Sequence, residues 1–478
     1  MKNHPRRQLE ASTRKKNIPP LTKILNHLNL LYAAIGSLLL VCLSALLNMH
    51  ILTGFLFIIF LLYFLFSQER IAGIGTNKRQ NALILSLLLI IFIAASKNIL
   101  YFNKPEAYIP VTGLVMLVTI LYNNLTLSLA FCALASYVAG SLSGGSLYLS
   151  QIFFISGLTA AIMLLRLSRR IRILAAGLCA GGAQALLYWL TFSPRSIDEL
   201  LPNLYSGFIC AVVVAGILPA IENFFGIVTN ISLLELSDFN HPLLKRMILE
   251  APGTYHHSLI VGNLAESAAE AVGANPLLAR IGAYYHDIGK LTQPEYFIEN
   301  QKVASKHAHL SPSMSKTIIM HHVKEGLALA KQYRLKPAII DFIIQHHGTS
   351  LVYYFYRKAL EGIEQDEKVY EEGFRYPGPR PSSRETAIVL LADSVEAATR
   401  VIPEPQAAKI DEVVRKIINN KFIDGQLEDC ELTLKDLENI AKVFIRNLSA
   451  LYHGRIQYPQ DQAREHQHKQ PLKGAAPL

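Results

Sequence analysis

Eight apolar runs fill the chain between Leu28 and Phe225, and most are about long enough to cross a bilayer, which constrains this half to a bundle of membrane helices. The runs are Leu28 to Leu47, Ile51 to Phe66, Ala82 to Leu100, Tyr108 to Tyr122, Leu125 to Ala139, Leu147 to Leu165, Ile173 to Phe192 and Leu204 to Phe225. The apolar stretch around Asn123-Asn124 is too long for one helix, and the two asparagines mark a turn. The first run is longer than a signal-peptide core and has no small-residue cleavage site after it, so it reads as a retained helix. Hydrophobic residues make up 51% of the chain and charged residues 17%, with mean hydropathy +0.27, too apolar for an ordinary soluble enzyme.

Charge placement gives an orientation. With the basic N-terminus (Arg6, Arg7, Arg14, Lys15, Lys16, Lys23) on the cytoplasmic side, eight spans put Arg70, Lys78 and Arg79 on that side as well. Arg166, Arg169, Arg170 and Arg172 fall there too, whereas Ser141 to Ser146 carries no basic residue and Ser193 to Asn203 only Arg195. Both ends of the membrane half are therefore expected in the cytoplasm. The net charge of +10 follows this edge pattern, and no aromatic-interleaved basic patch suggests nucleic-acid binding. No span carries a charge near its middle, which argues against an ion pathway. The five cysteines form no CxxC pair, so neither a disulfide framework nor a thiolate zinc site is supported.

Beyond Phe225 a short linker leads to a helical hairpin with apolar Leu233, Leu234, Leu236, Leu243, Leu244 and Met247. From Leu243 to about His453 the pattern is helical nearly throughout, giving an all-α expectation for both halves. Asn275-Pro276 and Ser311-Pro312 read as helix starts, a cap followed by proline in the first turn. The expected layout is a basic tail over residues 1–27, a transmembrane domain over 28–225, a linker over 226–242, a soluble domain over 243–453 and a disordered polar tail over 454–478.

The soluble half scatters metal-type residues: His257, the pair His286-Asp287, His322, the pair His346-His347, and Asp393. Neighbours on a regular helix point about 100° apart and cannot share one ion in mid-helix. Both pairs are soon followed by glycine, Gly289 and Gly348, so the backbone there can end a helix and bend adjacent ligands towards one centre. Histidine and carboxylate without thiolate suit iron, manganese or zinc. This many ligands exceeds what one hydrolytic ion needs, and two ions sharing a carboxylate, with Asp287 as the natural bridge, fit better. Two ions about 3.5–4 Å apart hold a phosphate and acidify a bound water, so phosphoester hydrolysis is the expected chemistry.

The series Glu250-Ala251-Pro252-Gly253-Thr254-Tyr255-His256-His257-Ser258, Gly282-Ala283-Tyr284-Tyr285-His286-Asp287-Ile288-Gly289-Lys290 and Pro294-Glu295-Tyr296-Phe297-Ile298-Glu299-Asn300-Gln301 resembles the HD-domain phosphohydrolases. With Gln345-His346-His347-Gly348-Thr349-Ser350, Tyr376-Pro377-Gly378-Pro379 and Leu391-Ala392-Asp393-Ser394-Val395-Glu396-Ala397, it is similar to the seven-transmembrane HD receptors that hydrolyse cyclic di-AMP. The resemblance covers roughly Tyr108 to Tyr452. It implies one metal on His257, His286, Asp287 and Asp393, a second on His322, His346 and His347, and Asp287 shared. The implied ions are iron or manganese rather than zinc. One histidine of His256-His257 and one of His321-His322 is not a ligand, and family spacing favours His257 and His322. Lys290 would meet the phosphate, and Thr349 is a weaker substrate-binding candidate. The implied reaction opens cyclic di-AMP to linear pApA. Family members usually carry an extracytoplasmic domain after the first helix, where this chain has Asn48-Met49-His50.

Two other readings remain open. One is HD hydrolysis of cyclic di-GMP, a deoxynucleoside triphosphate or a guanosine alarmone, although Gly348-Thr349-Ser350 lacks the GYP signature of the cyclic di-GMP branch. The other is a non-catalytic nucleotide-binding receptor, against which every expected ligand position is filled. Expected partners are the cyclic dinucleotide and membrane lipid, with homodimerisation open. His307 and His309 read as solvated, and Tyr353 to Tyr356 as either an adenine platform or a packed arm.

Overall fold

The computed structural model describes residues 78–165, 169–301, 306–361, 369–402 and 406–453, so the expected spans Leu28 to Leu47 and Ile51 to Phe66 lie outside the described residues. Two units divide the chain, Met1–Thr229 and Asn230–Leu478. Among the described residues all regular structure is helical, apart from isolated bridges such as that between Leu351 and Arg375.

The first unit contains α1 (Lys78–Tyr101), α2 (Val111–Tyr122), α3 (Leu125–Leu142), α4 (Leu147–Leu164), α5 (Ile171–Phe192) and α6 (Ile197–Phe225). All but α2 are long and apolar enough to cross a membrane, and the protein is a multi-pass membrane protein. Asn123 is left-handed and ends α2, and the side chain of Asn124 accepts from the amide of Leu127 to start α3. The expected span Tyr108 to Tyr122 is shorter than its hydropathy suggests. A 3-10 turn at Glu106–Tyr108 and Pro110 precede a helix of 12 residues, only about 18 Å long. All of its residues are buried, because α3, α4 and α6 enclose it. The last helix begins at Ile197, earlier than Leu204, with Asp198 and Glu199 in its first turn where the helix dipole favours them.

Polar groups inside this bundle are satisfied by neighbouring helices. Thr112 meets Ser156 at 2.8 Å, Ser156 donates to the Ala180 carbonyl at 3.1 Å, and Gln184 donates to the Ala107 carbonyl at 3.1 Å. Glycines set the contact of α5 with α6. A Cβ built on Gly207 would lie 2.2 Å from the Gly177 carbonyl oxygen, so the two backbones touch. Leu178, Leu186, Trp189 and Leu190 face outward, as a lipid-facing surface requires.

The second unit runs α7 (Asn230–Leu236), α8 (Pro242–Glu250), α9 (Pro252–Val272), α10 (Pro276–Tyr285), α11 (Pro312–Gln332), α12 (Pro337–Gln345), α13 (Tyr353–Glu361), α14 (Arg384–Arg400), α15 (Ala407–Ile423) and α16 (Leu434–His453). Asn275 and Ser311 cap α10 and α11 ahead of their prolines, and Ser383 and Thr386 form a capping box on α14. Helix α9 packs on α10, α14 and α16, and α12 packs on α10, α11 and α14. Alanines on the central helices (Ala265, Ala268, Ala279, Ala387) are fully buried, and large side chains such as Tyr285, Phe342 and Phe444 fill the remaining space. Gly282 lets Phe342 lie directly on α10, since a Cβ there would fall 2.4 Å from its ring. The Tyr285 hydroxyl, deep in this core, donates to the Leu236 carbonyl at 2.7 Å.

Gly207→Ala should therefore force α5 and α6 apart, at a cost of about 1–3 kcal/mol. Thermal unfolding of the detergent-solubilised chain measures it, with Gly216→Ala, whose added Cβ meets nothing within 4 Å, expected to melt like the parent.

Candidate metal centre

Helix α10 ends at Tyr285. His286 keeps helical backbone angles (φ −56°, ψ −35°), but Asp287 turns away (φ −107°, ψ 15°) into a 3-10 segment at Ile288–Thr292. That break lets two sequence neighbours converge, with His286 Nε2 at 3.2 Å from Asp287 Oδ2. Gly289 does not stop α10 through a left-handed backbone. It supplies room instead, because a Cβ there would fall 1.8 Å from the His322 carbonyl oxygen on α11. Gly348 does adopt the left-handed conformation (φ 54°), closing the turn after α12 that carries His346 and His347.

The Asp287 carboxylate stands at the centre of the cluster. Its Oδ2 faces His286 and, at 3.6 Å, His257 Nε2. Its Oδ1 faces His322 Nε2 at 3.3 Å and His346 Nε2 at 3.5 Å. Asp393 on α14 joins the first side, its Oδ1 at 3.1 Å from His257 Nε2 and 4.0 Å from His286 Nε2. The other Asp393 oxygen is 3.7 Å from His347 Nδ1. Two donor groups result: His257, His286 and Asp393, and Asp287 with His322, His346 and His347, each with ligand atoms within 4.8 Å of one another. His256 is exposed, and so is His321, which pairs with Glu325 at 2.9 Å.

The histidine rings are oriented from behind. His286 Nδ1 donates to the Ala283 carbonyl at 2.6 Å, His322 Nδ1 to that of Ile319 at 2.5 Å, and His346 Nδ1 to those of Phe342 and Ile343 at 3.0 Å. With Nδ1 held by a helix carbonyl, each ring turns its Nε2 to the cluster, the nitrogen that a metal would take from the neutral ring. His322 Nε2 and His346 Nε2 lie 3.2 Å apart. His286 Nε2 and Asp287 Oδ1 are buried without a hydrogen-bond partner. Buried acceptors crowded this way repel one another unless a cation joins them, so the residues fit a metal.

Electrostatics agree. Burial, reinforced by His346 and Lys290, lowers His322 to about 3 despite Asp287, and burial together with His346 lowers His347 well below the usual range. Burial opposes the charge on His257 too, but Asp393 and Glu396 on its two nitrogens raise it to about 9. Burial also works against Asp287 and Asp393, yet the histidines around both, with Lys290 beside Asp287, hold both well below the ordinary carboxylate range. Lys290 Nζ sits 2.7 Å from Asp287 Oδ2 and 2.8 Å from Glu299 Oε1, over the Phe297 ring, and these carboxylates raise its pKa against burial.

Several supporting residues carry no mark in the sequence. Glu396 accepts from His257 Nδ1 at 2.7 Å, and Arg400 Nε holds the same carboxylate at 3.1 Å. Its position three residues after Asp393, on one helix face, is the signal that could have found it. Tyr376 stacks on His347, ring centres 4.3 Å apart, and Glu299 holds Lys290. Thr349 is tied to Gln426 through both its amide (2.8 Å) and its hydroxyl (2.9 Å). His307 is buried rather than solvated, its Nε2 donating to the Tyr296 carbonyl at 2.9 Å and its ring 5.1 Å from Phe355, while His309 is exposed. The aromatic arm divides, with Phe355 packed and Tyr353 and Tyr354 exposed.

A buried histidine–aspartate centre of this kind, on a wholly helical unit, is what the HD class of domains presents, and the HD domain family matches residues 254–398. The family described as a 7TM receptor with intracellular HD hydrolase matches residues 27–229. It is 37% identical over 459 residues to the cyclic-di-AMP phosphodiesterase PgpH of Bacillus subtilis (strain 168), covering 92% of this chain and 62% of that protein. To the PgpH of Listeria monocytogenes (serotype 1/2a, strain 10403S) it is 39% identical over 393 residues, covering 79% and 53%. The chain thus spans between half and two thirds of the length of these relatives. The crystal structure of the L. monocytogenes PgpH HD domain in complex with cyclic-di-AMP is similar with a TM-score of 0.43 and 47% identity, covering 46% of this chain and 100% of that one.

Glu396→Gln should weaken metal binding about 10–100-fold by loosening His257, measured by competition with a chromogenic chelator. In the metal-free protein His257 is raised from 6.5 to about 9, so its stabilising contribution is complete below about pH 6.5 and lost as pH rises through 9. Thermal melts of chelator-treated protein across that range should fall in the parent and flatten in His257→Gln.

Proposed function

We propose that this chain is a membrane-embedded, metal-dependent phosphodiesterase that opens cyclic di-AMP to pApA. The observation that carries this reading is the division of the Asp287 carboxylate, one oxygen towards His257 and His286 and the other towards His322 and His346. Its support as to substrate is the similarity to proteins named as cyclic-di-AMP phosphodiesterases over most of the chain.

In this reading His257, His286, Asp287 and Asp393 would hold one divalent ion and His322, His346 and His347, with Asp287 shared, would hold the other; the donors suit iron, manganese or zinc, and the family resemblance implies iron or manganese. When bound, such a pair polarises a phosphate and brings a water to about neutral pKa. The chain's own residues do the rest. Asp287 fixes the two donor sets relative to each other, and Glu396 keeps His257 turned inward. Lys290, close to Asp287 and steadied by Glu299, offers an ammonium to the negative charge that develops on phosphate. Addition of water breaks one P–O3′ bond, leaving a 3′-hydroxyl and a 5′-phosphate. The membrane domain is assigned to residues 28–225, the hydrolase domain to 243–453, with the N-terminus and the hydrolase domain on the cytoplasmic side by loop charge.

The detergent-solubilised full chain, loaded with Mn or Fe, should release pApA from cyclic di-AMP. Asp287→Ala should bring turnover below detection while the far-ultraviolet helical signal is kept, and wild-type turnover in that variant would rule out the shared carboxylate. Turnover of a different nucleotide with none of cyclic di-AMP, under either metal, would remove the substrate assignment.

A further inference from the structure

Lys421, in the last turn of α15, reaches the loop that follows the His346-His347 pair. Its Nζ donates to Ser350 Oγ at 2.7 Å. Ser350 is held in turn, its amide donating to the His347 carbonyl and its carbonyl accepting from the Tyr376 amide, both at 3.0 Å. Tyr376 is the ring that stacks on His347. The ammonium is thus built into the wall of the cluster on its Asp393 and His347 flank, whereas Lys290 stands against Asp287.

The two lysines differ in their partners. Lys290 is neutralised by two carboxylates. Among the described residues no carboxylate oxygen lies within ion-pair distance of Lys421, and the Ser350 hydroxyl is its hydrogen-bond partner. The nearby Asp424 is engaged by Arg375 at 2.8 Å, and Arg375 also takes Glu371. Burial draws the Lys421 amine below the ordinary lysine range, with Asp393 and Asp424 acting the other way. A half-buried ammonium with a neutral partner is incompletely solvated, and an anion arriving from solution would relieve that cost.

A cyclic dinucleotide brings two phosphodiesters in one ring. When one lies at the shared carboxylate, the ring carries the other off to a side. We propose that Lys421, oriented by Ser350, binds this second phosphate, the one that is not cleaved, and so makes the site select dinucleotides carrying two phosphates. The proposal rests on the phosphodiesterase reading above.

The full chain with Mn separates the two ideas when assayed on cyclic di-AMP and on bis(4-nitrophenyl) phosphate, a diester with a single phosphate. Lys421→Met should raise KM for cyclic di-AMP about tenfold or more, with kcat within about threefold. The same variant should hydrolyse bis(4-nitrophenyl) phosphate at the wild-type rate, and Lys421→Arg should restore most of the affinity for cyclic di-AMP. Equilibrium dialysis of cyclic di-AMP against chelator-treated protein should show the same loss without turnover. Equal losses on both substrates, or unchanged KM and binding in Lys421→Met, would overturn the proposal. Wild-type turnover of bis(4-nitrophenyl) phosphate without binding or turnover of cyclic di-AMP would overturn the substrate reading itself, and the second-phosphate role with it.

Discussion

One buried carboxylate organises the second unit. Asp287 divides its two oxygens between opposed histidine pairs, and every ring but those of His257 and His347 has its Nδ1 hydrogen on a helix carbonyl. Holding the rings from behind turns their Nε2 atoms inward and leaves His286 Nε2 and Asp287 Oδ1 buried without a partner, an arrangement that a protein interior tolerates best around positive charge. Lys290 and protonated His257 supply part of that charge without a metal. The centre is therefore shaped without a metal, and an ion binding there would replace those charges rather than assemble a site from mobile side chains.

The helices that carry this centre are placed by packing of small residues. Alanines on α9, α10 and α14 bring those backbones together, so that His257, His286 and Asp393 come from three elements yet meet within ligand distance. Gly282 admits the Phe342 ring against α10, which seats α12 and its two histidines. In the membrane unit the same device recurs at the Gly177 and Gly207 contact.

Much of this was legible along the chain, and the exceptions have physical causes. Asn123-Asn124 and Asn275-Pro276 act through the next few residues, so local sequence was sufficient. The length of α2 was misjudged because apolar residues look alike whether they face lipid or are enclosed by other helices. The metal-type residues stood out by chemistry, but Glu299, Tyr376 and Gln426 work through partners far away in sequence, for which no spacing rule exists. Glu396 was within reach of such a rule, as a carboxylate one helical turn from Asp393. Gly289 illustrates a different limit. Its place after His286-Asp287 suggested a helix stop, yet its requirement comes from a chain segment some thirty residues later.

That close approach of Gly289 to the His322 carbonyl has a bearing on the distance between the two halves of the centre. Asp287 faces both donor groups and His322 belongs to one of them, and the backbones that carry the two are packed closely at Gly289, two residues past the carboxylate. The distance from the shared carboxylate to the His322 side of the centre is thereby a main-chain dimension, set as rigidly as the rise of a helix. Ligand side chains can rock within their rotamers without altering it, whereas a single methyl at position 289 would lengthen the ruler itself.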